Sequence, residues 1–302
     1  MRILLVGQAA FAAKVLEGLE AAGDTIAAVV CPPDAGDRPD PVKVAATSRG
    51  LPVRQFRSLR TPEARAAWEA AAADLGVLAY VTQIVPEDLI AIPRLGTICF
   101  HPSLLPRYRG GSAVGWQLIR GEQRVGVTVF WTDAGIDTGP ILLQREAQAG
   151  PDDSAGSLYY QTLFPLGVQA VLDAVALVRE GRAPRIPQDE AQASYDPLLS
   201  DAHAEIDWAC EQQVVHNLIR GCDPQPGAYT HHGPTRLRLY ESRRVPGEGA
   251  PGTVLAVEAS GITVATRGGA VRCARARSDG PKAAAAEVAA RLGIVPGTRL
   301  GA

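Results

Sequence analysis

The chain has 302 residues, 46% hydrophobic and 21% charged, with 30 Lys and Arg against 32 Asp and Glu for a formal net charge of −2. That length suggests two domains with ample apolar material for a core. The near-neutral charge supplies no whole-protein field that would pull the chain onto nucleic acid or a membrane.

The five cysteines (Cys31, Cys99, Cys210, Cys222, Cys273) are odd in number, widely spaced and free of any CxxC pair, so neither a disulfide framework nor a metal site is expected. The apolar start, Met1–Gly7, is too short to cross a bilayer and no signal-peptide pattern follows it. No other apolar run approaches spanning length, so a cytoplasmic protein without a membrane partner is expected.

Ile3–Val6 followed by Gly7 predicts a buried strand entering a turn, and Phe11, Val15, Leu16 and Leu19 continue at helical spacing to a stop at Gly23. Ile26–Val30 predicts a second strand, and the Gly-, Asp- and Pro-rich Asp34–Pro41 a mobile surface loop. Val42–Arg49 and Pro62–Ala73 read as helices separated by a short strand at Leu51–Val53; Leu75–Val81 and Thr97–Phe100 read as strands. Strands alternating with helices predict an α/β fold: a Rossmann-like, mostly parallel sheet with helices on both faces. After the first strand, however, Gly7–Phe11 carries no GxGxxG, so a bound NAD(P) is not indicated.

Val125–Trp131 predicts a strand, Asp133–Pro140 a loop, Ile141–Gln144 a strand, and Ser154–Glu180 a long helix. The Pro- and Gln-rich stretch that follows reads as an extended linker, giving domains at 1–183 and 204–302 with residues 184–203 between them. A helix (Glu211–Arg220), a Gly/Pro turn (Cys222–Gly227) and short strands at Leu237–Glu241, Thr253–Val257, Gly261–Thr266 and Ala270–Ala274 predict a small OB-like β-barrel.

The chemistry concentrates in the run Cys99–Ser112. A strand feeds directly into His101, Pro102 breaks it, and Pro106 with Gly110 and Gly111 makes a loop able to approach a ligand closely. The carboxyl end of a strand in an open α/β sheet is where ligands bind. A lone histidine there more often caps the strand end against a loop carbonyl, and gains importance only through its neighbours. Asp137 lies on a second loop that also follows a strand, flanked by Gly135 and Gly139. A carboxylate beside a histidine raises its basicity and fixes its tautomer, as a general base near pH 7 requires. Asp137 and Asp133 could instead cap their own turns, and spacing alone does not bring the two loops together.

The run His101–Gly111 (HPSLLPRYRGG), with Gly126–Gln144 (GVTVFWTDAGIDTGPILLQ), resembles the folate-dependent formyltransferase family that includes methionyl-tRNA formyltransferase. It is most similar to the N-terminal 10-formyltetrahydrofolate hydrolase domain of 10-formyltetrahydrofolate dehydrogenase. The likeness extends through VLAYVTQIVPEDLI, LFPLGVQAV, EGRAPRIPQ, EIDW and VHNLIRGCDPQPGAYT. It implies formyl transfer from 10-formyltetrahydrofolate, with His101 assisting attack and stabilising the oxyanion while Asp137 orients it and supports proton movement. It also implies a pterin site formed by Leu78, Tyr80, Val81, Thr82, Gln83 and Ile84 with Asp133, Gly135 and Ile136, largely through backbone groups. Ser103, Leu104, Leu105, Pro106, Arg107, Gly110 and Gly111 would form the substrate loop, with the Arg107 and Tyr108 side chains nearby.

One position departs from the pattern. The family's catalytic asparagine, two residues before the histidine, is Cys99 here, and a thiol is a poor donor beside an amide. The hydrolase domain also lacks that asparagine. Cys99 lies between Ile98 and Phe100, which favours an inert buried thiol over a nucleophile. Without the dehydrogenase's further domains, oxidation of the formyl group with NADP is not expected of this chain. The expected function is formyl transfer to a small amine, with hydrolysis to formate, methionyl-tRNA formylation or a folate-binding module as alternatives. The net charge and the short acidic loop at Asp34–Pro41 count against tRNA.

Overall fold

The computed structural model describes residues 1–301 and resolves the chain into two compact units. The first comprises Met1–Gly110, Gly126–Ala147 and Thr162–Tyr195. It runs β1 (Arg2–Gly7), α1 (Ala9–Ala21), β2 (Thr25–Cys31), α2 (Pro41–Thr47), β3 (Val53–Gln55), α3 (Pro62–Ala71), β4 (Leu75–Ala79), α4 (Glu87–Ile90) and β5 (Thr97–His101). After a short strand, β6 (Arg109–Gly110), the chain leaves for α5 (Ala113–Ile119) of the second unit and returns on β7 (Arg124–Trp131) and β8 (Ile141–Gln148). It departs again through α6 (Ala155–Leu158), returns on α7 (Phe164–Arg179) and leaves the first unit through a two-residue strand, β9 (Tyr195–Asp196).

The sheet order is β3-β2-β1-β4-β5-β7-β8, with β1 to β5 parallel and β7 antiparallel to β5. This is the expected Rossmann-like fold. β1 and β4 read as unbroken apolar runs because both faces are covered. On one face Phe11 of α1 stacks on Phe100 of β5 at 4.2 Å and meets Phe164 of α7 edge-on. On the other, Leu4, Val6 and Val30 pack with Trp68 of α3 and Leu89 of α4. Gly7 is demanded by the β1–β4 approach: a Cβ there would lie 2.1 Å from the Ala79 carbonyl oxygen.

Three expectations need correction. Asp34–Pro41 is tied down rather than free: Asp34 pairs with Lys43 and accepts from Gln55 and the Asp40 amide. Asp40 caps α2 through the Val42 amide at 2.9 Å and accepts from the Ala9 amide at the start of α1 at 2.9 and 3.1 Å. The 184–203 stretch is not an extended linker, since residues 184–195 belong to the first unit, where Ile186 exchanges backbone hydrogen bonds with Ile141. The run Ala155–Arg179 is 25 residues of mean hydropathy 1.5, long and apolar enough to span a bilayer, because a π-helical turn at Tyr159–Leu163 joins α6 to α7. In this fold its Ala170, Val171, Ala174 and Val175 are protein core.

The second unit comprises Gly111–Val125, Gln148–Gln161 and Asp196 onward. Its α8 (Gln212–Gly221) precedes an antiparallel sheet ordered β10 (Tyr229–His232), β11 (Thr235–Val245), β14 (Gly269–Arg277), β13 (Gly261–Thr266), β12 (Val254–Glu258), with β15 (Ala283–Ala284) on β14 and α9 (Ala285–Leu292) following. Its core gathers Trp208, Val215, Ile219, Leu237, Leu239, Val264, Val271, Cys273 and Val288.

Candidate active site

Strand alternation turns Ile98 and Phe100 to one face of the first unit's sheet and Cys99 and His101 to the other. His101 ends β5 with only 5% of its surface exposed. Its Nε2 lies 2.7 Å from the Tyr108 carbonyl oxygen, which can only accept, so Nε2 carries a proton and donates. Tyr108 aims that carbonyl inward because its own backbone is left-handed, with φ +63°. Nδ1 is left as the available ring nitrogen, 3.5 Å from Asp137 Oδ2.

The two loops therefore meet, which spacing alone could not establish. Asp137 sits between β7 and β8 in a left-handed conformation (φ +56°), and its Oδ2 also accepts from the Gly110 amide at 2.8 Å. Its turn is tight: a Cβ on Gly139 would lie 1.7 Å from the Trp131 carbonyl oxygen. Asp133 has a different part. Its Oδ1 accepts from the Gly135 amide and the Thr138 hydroxyl, so this carboxylate caps its own loop.

Cys99 is half-buried and its thiol faces the Phe100 carbonyl at 3.5 Å. Burial, assisted by the Asp137 carboxylate, holds that thiol well above the usual range and keeps it protonated. The expected substrate loop is a scaffold more than a set of outward contacts. Ser103 and Leu105 are buried, Ser103 Oγ donates to the Arg107 carbonyl, and Thr128 Oγ1 donates to the Ser103 carbonyl. Gln144 Nε2 donates to the Leu105 carbonyl, while Leu104 and Pro106 are half-buried and the Leu105–Pro106 peptide is cis. Arg107 points outward with its guanidinium 5.3 Å from the Tyr108 ring centre. The Tyr108 side chain is buried with its hydroxyl 3.5 Å from the Arg107 guanidinium, and it is the backbone carbonyl that meets His101. Gly110 contributes its amide, and Gly111 lies at the start of the second unit's first segment.

The remaining candidates divide by exposure. Leu78 packs into the core with Leu4 and Val6, beneath the loop rather than on it. Tyr80 (φ +62°), Ile84 and Ile136 present exposed apolar surface on the loops after β4 and β7. Val81, Thr82 and Gln83 line a shallow crevice with Gly7, Gln8 and Cys31 at the carboxyl ends of β1, β2 and β4. The chain turns back between β1 and β4 in the strand order, and such a switch point opens a binding crevice in an α/β sheet. Among the described residues no cluster of metal-ligating side chains is present.

A histidine braced by a carbonyl on one side and facing a carboxylate on the other, at the carboxyl edge of an open α/β sheet, has the parts for proton transfer in acyl chemistry. The sequence matches the Formyl transferase family over residues 1–175 and its C-terminal domain over residues 198–292. The chain belongs to this formyltransferase family.

It is 36% identical to methionyl-tRNA formyltransferase of Geotalea uraniireducens (strain Rf4), covering 100% of this chain and 98% of that protein. It is 39% identical to human mitochondrial 10-formyltetrahydrofolate dehydrogenase over 85% of this chain, but it spans only 28% of that relative's length. Among solved structures, Aquifex aeolicus HypX in complex with tetrahydrofolic acid matches with TM-score 0.72 at 21% identity, over 97% of this chain and 47% of that one. The sugar 3N-formyl transferase WlaRD matches with TM-score 0.70 at 16% identity, over 90% and 97%. The last two likenesses are of fold.

Proposed function

We propose that this protein transfers the formyl group of 10-formyltetrahydrofolate to an amine carried by a small molecule. The observation that carries the reading is the His101–Asp137 pair, 3.5 Å apart beside the Gly110 amide. With Nε2–H committed to Tyr108, Nδ1 takes the proton released as the amine nitrogen bonds to the formyl carbon. The bond from that carbon to N10 breaks as the proton is delivered to N10, leaving tetrahydrofolate and the formylated amine. Once Nδ1 carries that proton, Asp137 accepts from it and balances the charge of the ring during the transfer. Tyr80, Ile84 and Ile136 supply apolar surface for the pterin, and backbone groups of Val81–Ile84 and Gly135–Ile136 supply its polar partners.

A specific observation favours hydrolysis as a second reading: position 99 offers a protonated thiol where an amide donor would hold the oxyanion. Loss of one such donor costs about a hundredfold or more in turnover. Formylation of methionyl-tRNA is the third reading, and the second unit adds little to it. Arg238 stands opposite Arg277 and Arg243 opposite Arg272 in the β11–β14 ladder, but Arg238 pairs with Asp201 and Arg243 with Asp152, so carboxylates of the chain itself offset the like charges.

Purified protein incubated with 10-formyltetrahydrofolate, with and without small amines or methionyl-tRNA, separates these readings by tetrahydrofolate release. Amine-dependent release is expected. Equal release without any acceptor establishes hydrolysis, and release only with charged tRNA establishes the third reading. His101→Ala and Asp137→Ala are each expected to lower turnover at least a hundredfold; near-normal rates in either would remove the mechanism.

A further inference from the structure

The Asp137 loop is held from behind by a side chain that the proposed chemistry does not use. Gln188 Nε2 donates to the carbonyl of Asp137 and to that of Gly139, each at 2.8 Å. Its Oε1 accepts from Arg109 Nε at 3.1 Å and from a terminal guanidinium nitrogen at 2.8 Å. Every hydrogen-bonding position of this amide is filled, and flipping it would set donors against donors and acceptors against acceptors. Arg109 is nearly buried and is gripped bidentately by Glu190 at 2.7 and 2.9 Å. The circuit closes through the backbone, because Gly110, the next residue, donates its amide to the Asp137 carboxylate.

The same segment holds the other loop. Ser194 Oγ accepts from the Tyr108 amide at 2.8 Å, the Ser194 carbonyl accepts from the Arg109 amide at 2.9 Å, and the Ser194 amide donates to the Pro106 carbonyl at 3.2 Å. Residues 188–194 thus fix both the carbonyl that orients His101 and the turn that presents Asp137. The left-handed backbones at Tyr108 and Asp137 are conformations that persist only where surrounding bonds over-determine them.

We propose that Gln188 is a positioning residue for the His101–Asp137 pair, coupled through Arg109 and Glu190. It acts by setting the spacing of the two loops rather than by touching a reactant. The inference rests on the reading of His101 and Asp137 as the reacting pair. Its principal test therefore reads geometry directly.

The ring ¹⁵N signals of His101 report its tautomer, and His203, His216, His231 and His232 serve as internal references in the same spectrum. In Gln188→Ala the His101 signals are expected to move toward averaged tautomers while the other four stay. In parallel, kcat for tetrahydrofolate release should fall at least tenfold, with KM for 10-formyltetrahydrofolate within threefold of wild type. Unchanged His101 signals in a folded Gln188→Ala protein would overturn the inference.

If that variant does not fold, Glu190→Gln provides the reading from the exposed end of the circuit, where a smaller shift of the same signals and a two- to fivefold loss of kcat are expected. Unmoved signals there overturn the inference equally. His101→Ala run alongside keeps the two claims apart: if it retains full turnover, the reacting pair is wrong, whatever the spectra of the Gln188 variant show.

Discussion

At the scale of single residues, the candidate site is built from backbone carbonyls and amides as much as from side chains. His101 and Asp137 were legible as candidates because a histidine after a strand and an aspartate between glycines are local patterns. The Tyr108 carbonyl, the Gly110 amide and Gln188 were not legible. A carbonyl has no residue identity to read, and Gln188 meets its partners across 49–79 positions of sequence. The reading of Cys99 as a quiet thiol is a statement about protonation and can be checked as such. Burial and Asp137 both disfavour its thiolate, so a thiol reagent at pH 8 should leave Cys99 unmodified in the native protein and label it on denaturation. Mass-spectrometric mapping that finds Cys99 labelled rapidly in the native state would contradict this.

At the scale of elements, strands and helices with a strong apolar period were read from sequence nearly at their observed bounds, as with β1, α1, β2, α3 and β7. Polar elements escaped. β10 is Tyr-Thr-His-His, an end strand with no apolar alternation, and α9 opens in a run of alanines that no period marks. The loop Asp34–Pro41 shows why composition misleads: glycine, proline and aspartate are turn formers, yet the same aspartates are acceptors able to tie a loop down. Asp40 is the test case, since one carboxylate serves the starts of both α1 and α2. Asp40→Ala should cost about 1–2 kcal/mol for the lost cap and the freed Ala9 amide. At roughly 2–4 °C per kcal/mol for chains of this size, a thermal melt should show a drop of several degrees. Asp40→Asn, which keeps an acceptor oxygen, should lose less; equal losses would show that charge rather than hydrogen bonding does the tying.

At the scale of the whole molecule, buried titratable groups shape the pH range of stability, those of the second unit among them. Burial pushes the thiols of Cys222 and Cys273 up to about 12, so above pH 9 the unfolded chain releases protons that the folded one keeps. Stability should therefore fall as pH rises from about 9 toward 12. His216, bonded to Ser242 Oγ at 2.8 Å and the Pro151 carbonyl at 3.0 Å, is held below the ordinary histidine value chiefly by burial. There the unfolded state binds the proton first, and stability should decline as pH falls through about 6.5. Urea midpoints measured across pH should form a plateau between these limits. Cys222→Ala with Cys273→Ala should make the alkaline limb shallower, with the remainder due to the thiols of Cys99 and of Cys31, which burial pushes up to about 11, and an unchanged limb would assign it wholly to other groups.

The compact units are also not the consecutive halves that composition suggests. The second takes Gly111–Val125 and Gln148–Gln161 out of the middle of the first. A chain threaded in this way has no single point at which one unit ends before the other begins. A gene fragment stopping in the Pro-rich stretch after Gly181 would carry two orphaned pieces of its neighbour, and the complementary fragment would lack them. Recombination can therefore exchange the pair as a block more easily than either member alone, and an insertion that leaves both intact is best sought in exposed turns inside one unit.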